Sequence, residues 1–260
     1  MGLTQLLSQL DLTLLLLLIC LAFLASFIDS VVGGGGLITL PALLFAGLNP
    51  SAAVATNKLV GTMGSLTSTI MFYKTGKLDI KSIYKLFPLS FIGSLCGAWA
   101  VHLIDPALLK PFMLVMLALV AIYTLIKKDF GKIAQKQTAK AKHALVFFIA
   151  VFCIGFYDGF LGPGTGSFLI FAFIIAGYDF IHAAGSAKFL NFASNIAALI
   201  LFTALGEVNF VYGIPMGLAG IVGAIIGSRF AINKGISYIR LLFIIVTFTL
   251  LIKNAVDFLI

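Results

Sequence analysis

Two pairs of charged residues lie among almost exclusively apolar or small neighbours: Asp29 with Lys58, and Asp158 with Lys188. The aspartate precedes the lysine by 29 residues in the first pair and by 30 in the second. A lysine at the centre of a bilayer costs roughly 2.5–3.5 kcal/mol on insertion scales, so it persists only with a partner or a task. Three roles are open. The lysines contact an anionic ligand, or they form ion pairs (Lys58 with Asp29, Lys188 with Asp158), or they snorkel to the interface. An aspartate in a low-dielectric site can also take up a proton, which makes Asp29 and Asp158 candidates for ion coupling as well as pairing.

Just after each aspartate the chain cannot stay helical. The first half runs Asp29-Ser30-Val31-Val32-Gly33-Gly34-Gly35-Gly36; the second runs Asp158-Gly159-Phe160-Leu161-Gly162-Pro163-Gly164-Thr165-Gly166. Each glycine costs a helix about 1 kcal/mol against alanine. Unwound backbone at membrane depth is tolerated only where protein buries it or a wet cavity meets it. Its amides, and the positive N-terminal end of the helix that follows, suit an anion. Gly33, Gly34, Gly35 and Gly36, with Gly162, Gly164, Thr165 and Gly166, are therefore expected to line a site. The alternative is close glycine packing, or a tight turn with no ligand. Each lysine also heads a stripe of small and polar residues at helical spacing. Gly61 and Ser65 follow Lys58, with Asn57 and Thr62 beside them; Asn191 and Asn195 follow Lys188. With the lysines, these complete the expected anion-binding set.

The elements that must hold these residues belong to a membrane protein. Of the 260 residues 61% are hydrophobic and 10% charged, against about 25% charged in a soluble domain. Mean hydropathy is +1.16. Soluble enzyme, nucleic-acid binder, disordered chain and disulfide scaffold are all disfavoured. Apolar stretches at Leu12–Ile28, Val54–Tyr73, Leu86–Ile104, Leu108–Ile126, Ala144–Phe160, Ala184–Leu205, Val211–Phe230 and Leu241–Ile260 approach the ~20 residues that span hydrocarbon as a helix. Two shorter runs, Leu37–Gly47 and Ser167–Ala176, cover about half a bilayer at ~1.5 Å per residue. The N-terminus has no Lys or Arg before its first apolar run, so that run is expected to stay as a membrane segment.

The chain also matches itself. At an offset of 130, Gly47 falls on Gly177, Lys58 on Lys188, Phe72 on Phe202, Gly76 on Gly206, Gly93 on Gly223 and Gly97 on Gly227; Asp29 falls on Asp158 at 129. The expected architecture is an all-α polytopic membrane protein made of two homologous repeats, each with a glycine-rich break and a half-length helix. Residues 1–126 form the first repeat, 127–143 a basic cytoplasmic linker and 144–260 the second. The positive-inside rule puts the lysine-rich segments 74–85 and 127–143 inside. It is satisfied for the loop with Arg229, Lys234 and Arg240 only if the half-length helix and its glycine segment complete a crossing. Each repeat then crosses an odd number of times and the two are inverted; parallel four-helix repeats are the rival.

Other chemistry finds little support. The net charge of +8 fits cytoplasmic lysine clusters better than nucleic acid. Cys20, Cys96 and Cys153 have no metal-ligand spacing, and His102, His143 and His182 are far apart, so no metal or cofactor is expected. Gly33–Gly36 runs into Leu-Ile-Thr rather than Gly-Lys-Ser/Thr, which argues against direct nucleotide use. An intramembrane enzyme would have Ser167 as its best nucleophile, without a histidine aligned to it. The pairs Gly93/Gly97 and Gly223/Gly227 read as helix-packing motifs.

With these residues in view, the chain resembles the TauE/SafE sulfite exporter family, and its YfcA-like branch. The resemblance rests on Phe27–Pro41, Ala55–Leu59, Gly155–Ser167 and Lys188–Asn195, and covers essentially the whole chain. In the second repeat Pro163 and Thr165 interrupt the glycines, and no proline matches Pro41. The resemblance implies a multi-pass permease of the bacterial inner (plasma) membrane for a small sulfur-containing anion, sulfite or an organosulfonate, driven by an ion gradient. The partners expected are that anion and the lipid bilayer. An anion channel or an accessory membrane subunit is the alternative, and a non-enzymatic role is expected in either case. The sequence leaves the oligomeric state open.

Overall fold

The computed structural model describes residues 12–126 and 141–234. All its regular elements are helical, with no strand among the described residues. In chain order they are α1 (Leu12–Val32), α2 (Gly36–Phe45), α3 (Pro50–Lys74), α4 (Ile80–Ile83, continued by a 3₁₀ turn), α5 (Phe87–His102), α6 (Pro106–Ile126), α7 (Ala141–Phe160), α8 (Thr165–Ile175), α9 (Phe180–Ala204) and α10 (Phe210–Lys234). The expected last span, Leu241–Ile260, and the basic stretch 127–140 lie outside the described residues.

Local chemistry accounts for the helix limits. Asn49 caps α3, accepting from Ala52 N at 2.8 Å, and Pro50 fills the first turn, where no backbone donor is needed. Asp179 caps α9 by accepting from Ile181 N at 3.1 Å and His182 N at 3.2 Å. The long helices α3 and α9 therefore begin before their apolar letters do. The breaks predicted from the glycines are real: Gly33 and Gly34 adopt φ of 76° and 108°, Gly162 and Gly164 φ of 89° and 83°, a region open to glycine and strained for other residues.

Among the described residues, four segments are long and apolar enough to cross a membrane: α1, Ile80–His102, α9 and Phe210–Asn233. Large apolar side chains face outward along them, including Leu16, Ile92, Trp99, Ile200 and Leu218. In water such a surface would aggregate; in lipid it is ordinary. The inversion is the polar helix α3, whose Thr56, Asn57, Lys58, Ser65 and Ser68 are buried. It packs against α9 at the centre of the protein.

Glycines set how close the helices come. A Cβ at Gly97 would lie 1.9 Å from the Phe156 carbonyl oxygen, and one at Gly159 would lie 1.9 Å from that of Ser94, so α5 and α7 meet backbone to backbone. On the opposite side Gly223 and Gly227 of α10 meet the carbonyls of Phe23 and Phe27 on α1 at 2.2 and 2.3 Å by the same measure. Helix association in lipid depends on such packing, because burial of apolar surface drives little of it. Serines then tie α5 to α9: Ser90 Oγ donates to Leu190 O at 2.9 Å and Ser94 Oγ to Ser194 O at 2.6 Å.

Gly97→Leu should therefore separate α5 from α7 and cost ~3 kcal/mol or more. Ile92→Ala on the lipid face of the same helix should change little. Thermal unfolding of the detergent-solubilised protein, followed by size-exclusion chromatography, measures the difference; equal stability of the two variants would disprove the packing account.

Candidate functional site

The two breaks meet. Gly33 lies against Gly166 and Ser167 so closely that a Cβ there would come within 2.3 Å of Ser167 N, and Ser167 Oγ donates to Val32 O at 2.8 Å. Beside this junction α3 and α9 pass each other at Gly61, where a Cβ would sit 2.5 Å from Asn195 Oδ1. The breaks and these helices enclose a small cavity of about 40 Å³, room for about three water molecules.

Both lysines are buried and paired. Lys58 Nζ stands 3.0 Å from Asp158 Oδ1 and also donates to the Asp158 carbonyl oxygen. Lys188 Nζ donates to Asp29 Oδ2 at 2.6 Å. The pairs are crossed. Sequence spacing suggested Lys58 with Asp29 and Lys188 with Asp158, but each long helix reaches the break of the opposite half. Asp29 Oδ1 accepts in addition from Gly34 N at 2.9 Å and Gly35 N at 3.1 Å. Those unwound amides hold the protein's own carboxylate instead of being open to a ligand.

The other expected residues divide cleanly. Gly34, Gly35 and Gly36 line the cavity from the first break, with Gly162, Thr165 and Gly166 from the second. Asn57 and Ser65 of α3 line it as well, as do Asn191 and Asn195 of α9 and both aspartates. Lys58, Lys188, Gly33, Gly164 and Thr62 do not. The lysine ammonium groups are turned onto carboxylates with no exposure. Gly33 is packed on the other break, and Gly164 faces Val120 and Phe168. The Thr62 hydroxyl is spent on Lys58 O at 2.7 Å.

Residues that the stripes did not announce also contribute. Ser26 lies one turn before Asp29 on α1, Gly64 widens the α3 face, and Thr39 comes from the half-length helix α2. The Thr39 hydroxyl donates to Asn57 Oδ1, which leaves the Asn57 amide as an N–H donor to the cavity. Thr39 had a weak signal, as the one hydroxyl among apolar letters in Leu37–Leu44. In the first turn of α2 the amides of Leu37, Ile38 and Thr39 donate to the Gly34 and Gly35 carbonyls, and in α8 that of Thr165 donates to Gly162 O, so these helix ends face the cavity with most of their amides engaged. The arrangement presents N–H and hydroxyl groups around a small space whose fixed charges cancel.

The model of the family described as Sulfite exporter TauE/SafE matches residues 18–254. The chain belongs to the TauE/SafE family of membrane transporters. It is 37% identical over 246 residues to "Probable membrane transporter protein ORF9" of a Sinorhizobium species, covering 94% of this chain and 93% of that one. Identity is 34% to "Probable membrane transporter protein" of Haemophilus influenzae, over 94% and 95% of the two chains. It is 37% to "Probable membrane transporter protein YfcA" of Escherichia coli K12, over 94% and 90%. No solved structure matches the TauE/SafE chain significantly. The family and these names point away from an enzyme.

Removing one member of a buried pair strands the other, at a cost of about 3–5 kcal/mol. Lys58→Met should lose that much stability, and Lys58→Met combined with Asp158→Leu should recover most of it. Denaturant unfolding in micelles checks this; a double variant as unstable as the sum of the singles would show that the two charges are not coupled.

Proposed function

We propose that this protein is a carrier for a small anion, a sulfur oxyanion or organosulfonate, in the bacterial inner membrane, driven by an ion gradient. One observation carries the reading. A small polar cavity sits where two broken helices meet, edged by the first turns of two half-length helices and by asparagine side chains. Broken helices whose N-terminal ends face a midplane site are how secondary transporters hold anionic groups. The lysines act here by pinning each break to the opposite long helix, and the anion meets Asn57, Asn191, Asn195 and the helix ends.

The same proposal makes residues 1–126 and 144–260 inverted repeats. Contacts recur reciprocally at the spacing of the self-match. Gly97 meets Phe156 as Gly227 meets Phe27, and Lys58 meets Asp158 as Lys188 meets Asp29. Reciprocal exchange of contacts is the mark of a twofold axis. Charge favours an axis in the membrane plane, because the loop after α3 carries Lys77 where the loop after α9 carries Glu207. The linker 127–143 is then cytoplasmic.

In proteoliposomes challenged with sulfite, thiosulfate, organosulfonates and carboxylates, saturable flux should favour a sulfur anion. Asn57→Leu and Asn195→Leu should each lower it about tenfold or more, since a hydrogen bond to a charged group is worth ~1.5–3 kcal/mol. Flux indifferent to both changes would refute the site. For topology, Lys74→Cys and Ala204→Cys, each placed in a chain without its native cysteines, should react with an impermeant maleimide from opposite faces. Labelling from one face would refute the inversion.

A further inference from the structure

The two ion pairs occupy matching places and yet differ in one respect. Asp29 is satisfied at both oxygens: Lys188 holds Oδ2, and the amides of Gly34 and Gly35 hold Oδ1. Asp158 is not. Lys58 holds its Oδ1, while Oδ2 is buried without a hydrogen-bond partner among the described residues. The Asp158 side chain is also the more enclosed, 2% exposed against 21% for Asp29.

The sequence explains the difference. At the offset that superposes Asp29 on Asp158, Gly34 falls on Pro163. Proline has no N–H, so of the two amides that donate to Asp29 the one at Gly34 has no counterpart; the other, at Gly35, falls on Gly164, whose amide does not reach Asp158 Oδ2. The neighbouring groups are engaged elsewhere: Gly162 N donates to Tyr157 O at 3.1 Å and the Tyr157 hydroxyl to Pro163 O at 2.6 Å. A buried carboxylate oxygen with no donor is costly; a proton on it satisfies that oxygen and leaves the Lys58 charge without its counter-ion, a charge that an incoming anion neutralises.

We infer that Asp158 is the proton-binding site of the transport cycle, whereas Asp29 stays ionised as a fixed strut. This rests on the carrier reading above. With both aspartates and both lysines charged, the fixed charges at the site cancel and hold no net attraction for an anion. A proton taken from water onto Asp158 Oδ2 leaves a surplus of one positive charge beside the cavity. A monovalent anion neutralises it, so anion and proton travel together and the proton returns to water on release. The groups that bear on Asp158 are Lys58 of α3, Tyr157 of its own helix, and the Lys188–Asp29 pair. Helix α8 has no titratable residue. On α5, His102 is taken by Glu207 at 2.8 Å and Cys96 faces outward; on α9, His182 is held by Asp179 at 2.5 Å.

Infrared difference spectroscopy of the purified full-length protein, between acidic and alkaline buffer, tests this without any transported anion. A carboxylic-acid carbonyl band should form on acidification, disappear in Asp158→Asn and persist in Asp29→Asn. Absence of the band, or its loss in Asp29→Asn alone, overturns the assignment. If Asp158→Asn does not fold, Pro163→Gly decides. It restores an N–H within a glycine run of the kind the first half already tolerates, and should weaken the band at the same pH; an unchanged band overturns the inference. The proteoliposome panel is run in parallel. Anion flux without the band defeats this inference alone; the band without flux of any anion defeats the carrier reading and leaves Asp158 a proton-binding group with no transport cycle.

Discussion

The structure depends on two ammonium–carboxylate contacts made across it, Lys58 to Asp158 and Lys188 to Asp29. Each charge would be ruinous alone at this depth, and each is tolerable because its partner arrives from the other half. The consequence is topological as well as energetic. Neither half can satisfy its own lysine, so neither can form its centre without the other. The contacts also explain why the breaks persist. An unwound segment exposes amides that a helix would have used, and at the first break two of them are consumed by Asp29 itself.

Around that centre the fold is built by exclusion of volume. Glycines on α5, α7 and α10 remove the side chains that would keep helix backbones apart, and serine hydroxyls on α5 then bond carbonyls of α9. The resulting frame surrounds a polar interior with a small cavity among the described residues. Hydroxyls along α3 bond back onto their own helix, as Thr62 does to Lys58 O and Ser65 to Gly61 O. Other polar groups of α3 find partners on neighbouring elements: Ser68 with Ser30, Thr56 with Asn209 N, and Asn57 with Thr39.

The segments around Asp29 and Asp158 match in sequence and differ in chemistry. Replacement of Gly34 by Pro163 in the matching turn changes no helix limit by more than a residue or two, yet it removes a donor at the one place where a carboxylate needs it. Asn191 and Asn195 stand where the first half has Gly61 and Ser65, so the cavity wall is more polar on the α9 side. If the halves are repeats, as proposed above, differences within the turns and along one helix face are what give the two sides different tasks.

Much of this was legible in the letters. Membrane character follows from the scarcity of charge. The breaks follow from the glycines, because their conformational cost is local, and the cavity-lining residues Gly61, Ser65, Asn191 and Asn195 follow from helical spacing around Lys58 and Lys188. Thr39 was not legible, because only the fold of α2 against α3 brings it to Asn57. The direction of the ion pairs was not legible either. Spacings of 29 and 30 residues favoured partners within each half, and nothing local distinguishes one aspartate from the other. Tertiary structure decided it, since a long helix can reach only the break it packs beside, and α3 and α9 pack beside each other's. For the same reason the sequence could mark the lysines as important but could not say that they face carboxylates and not the cavity. A residue's type is a local fact, whereas the charge that meets it at 3 Å is a property of the assembled fold.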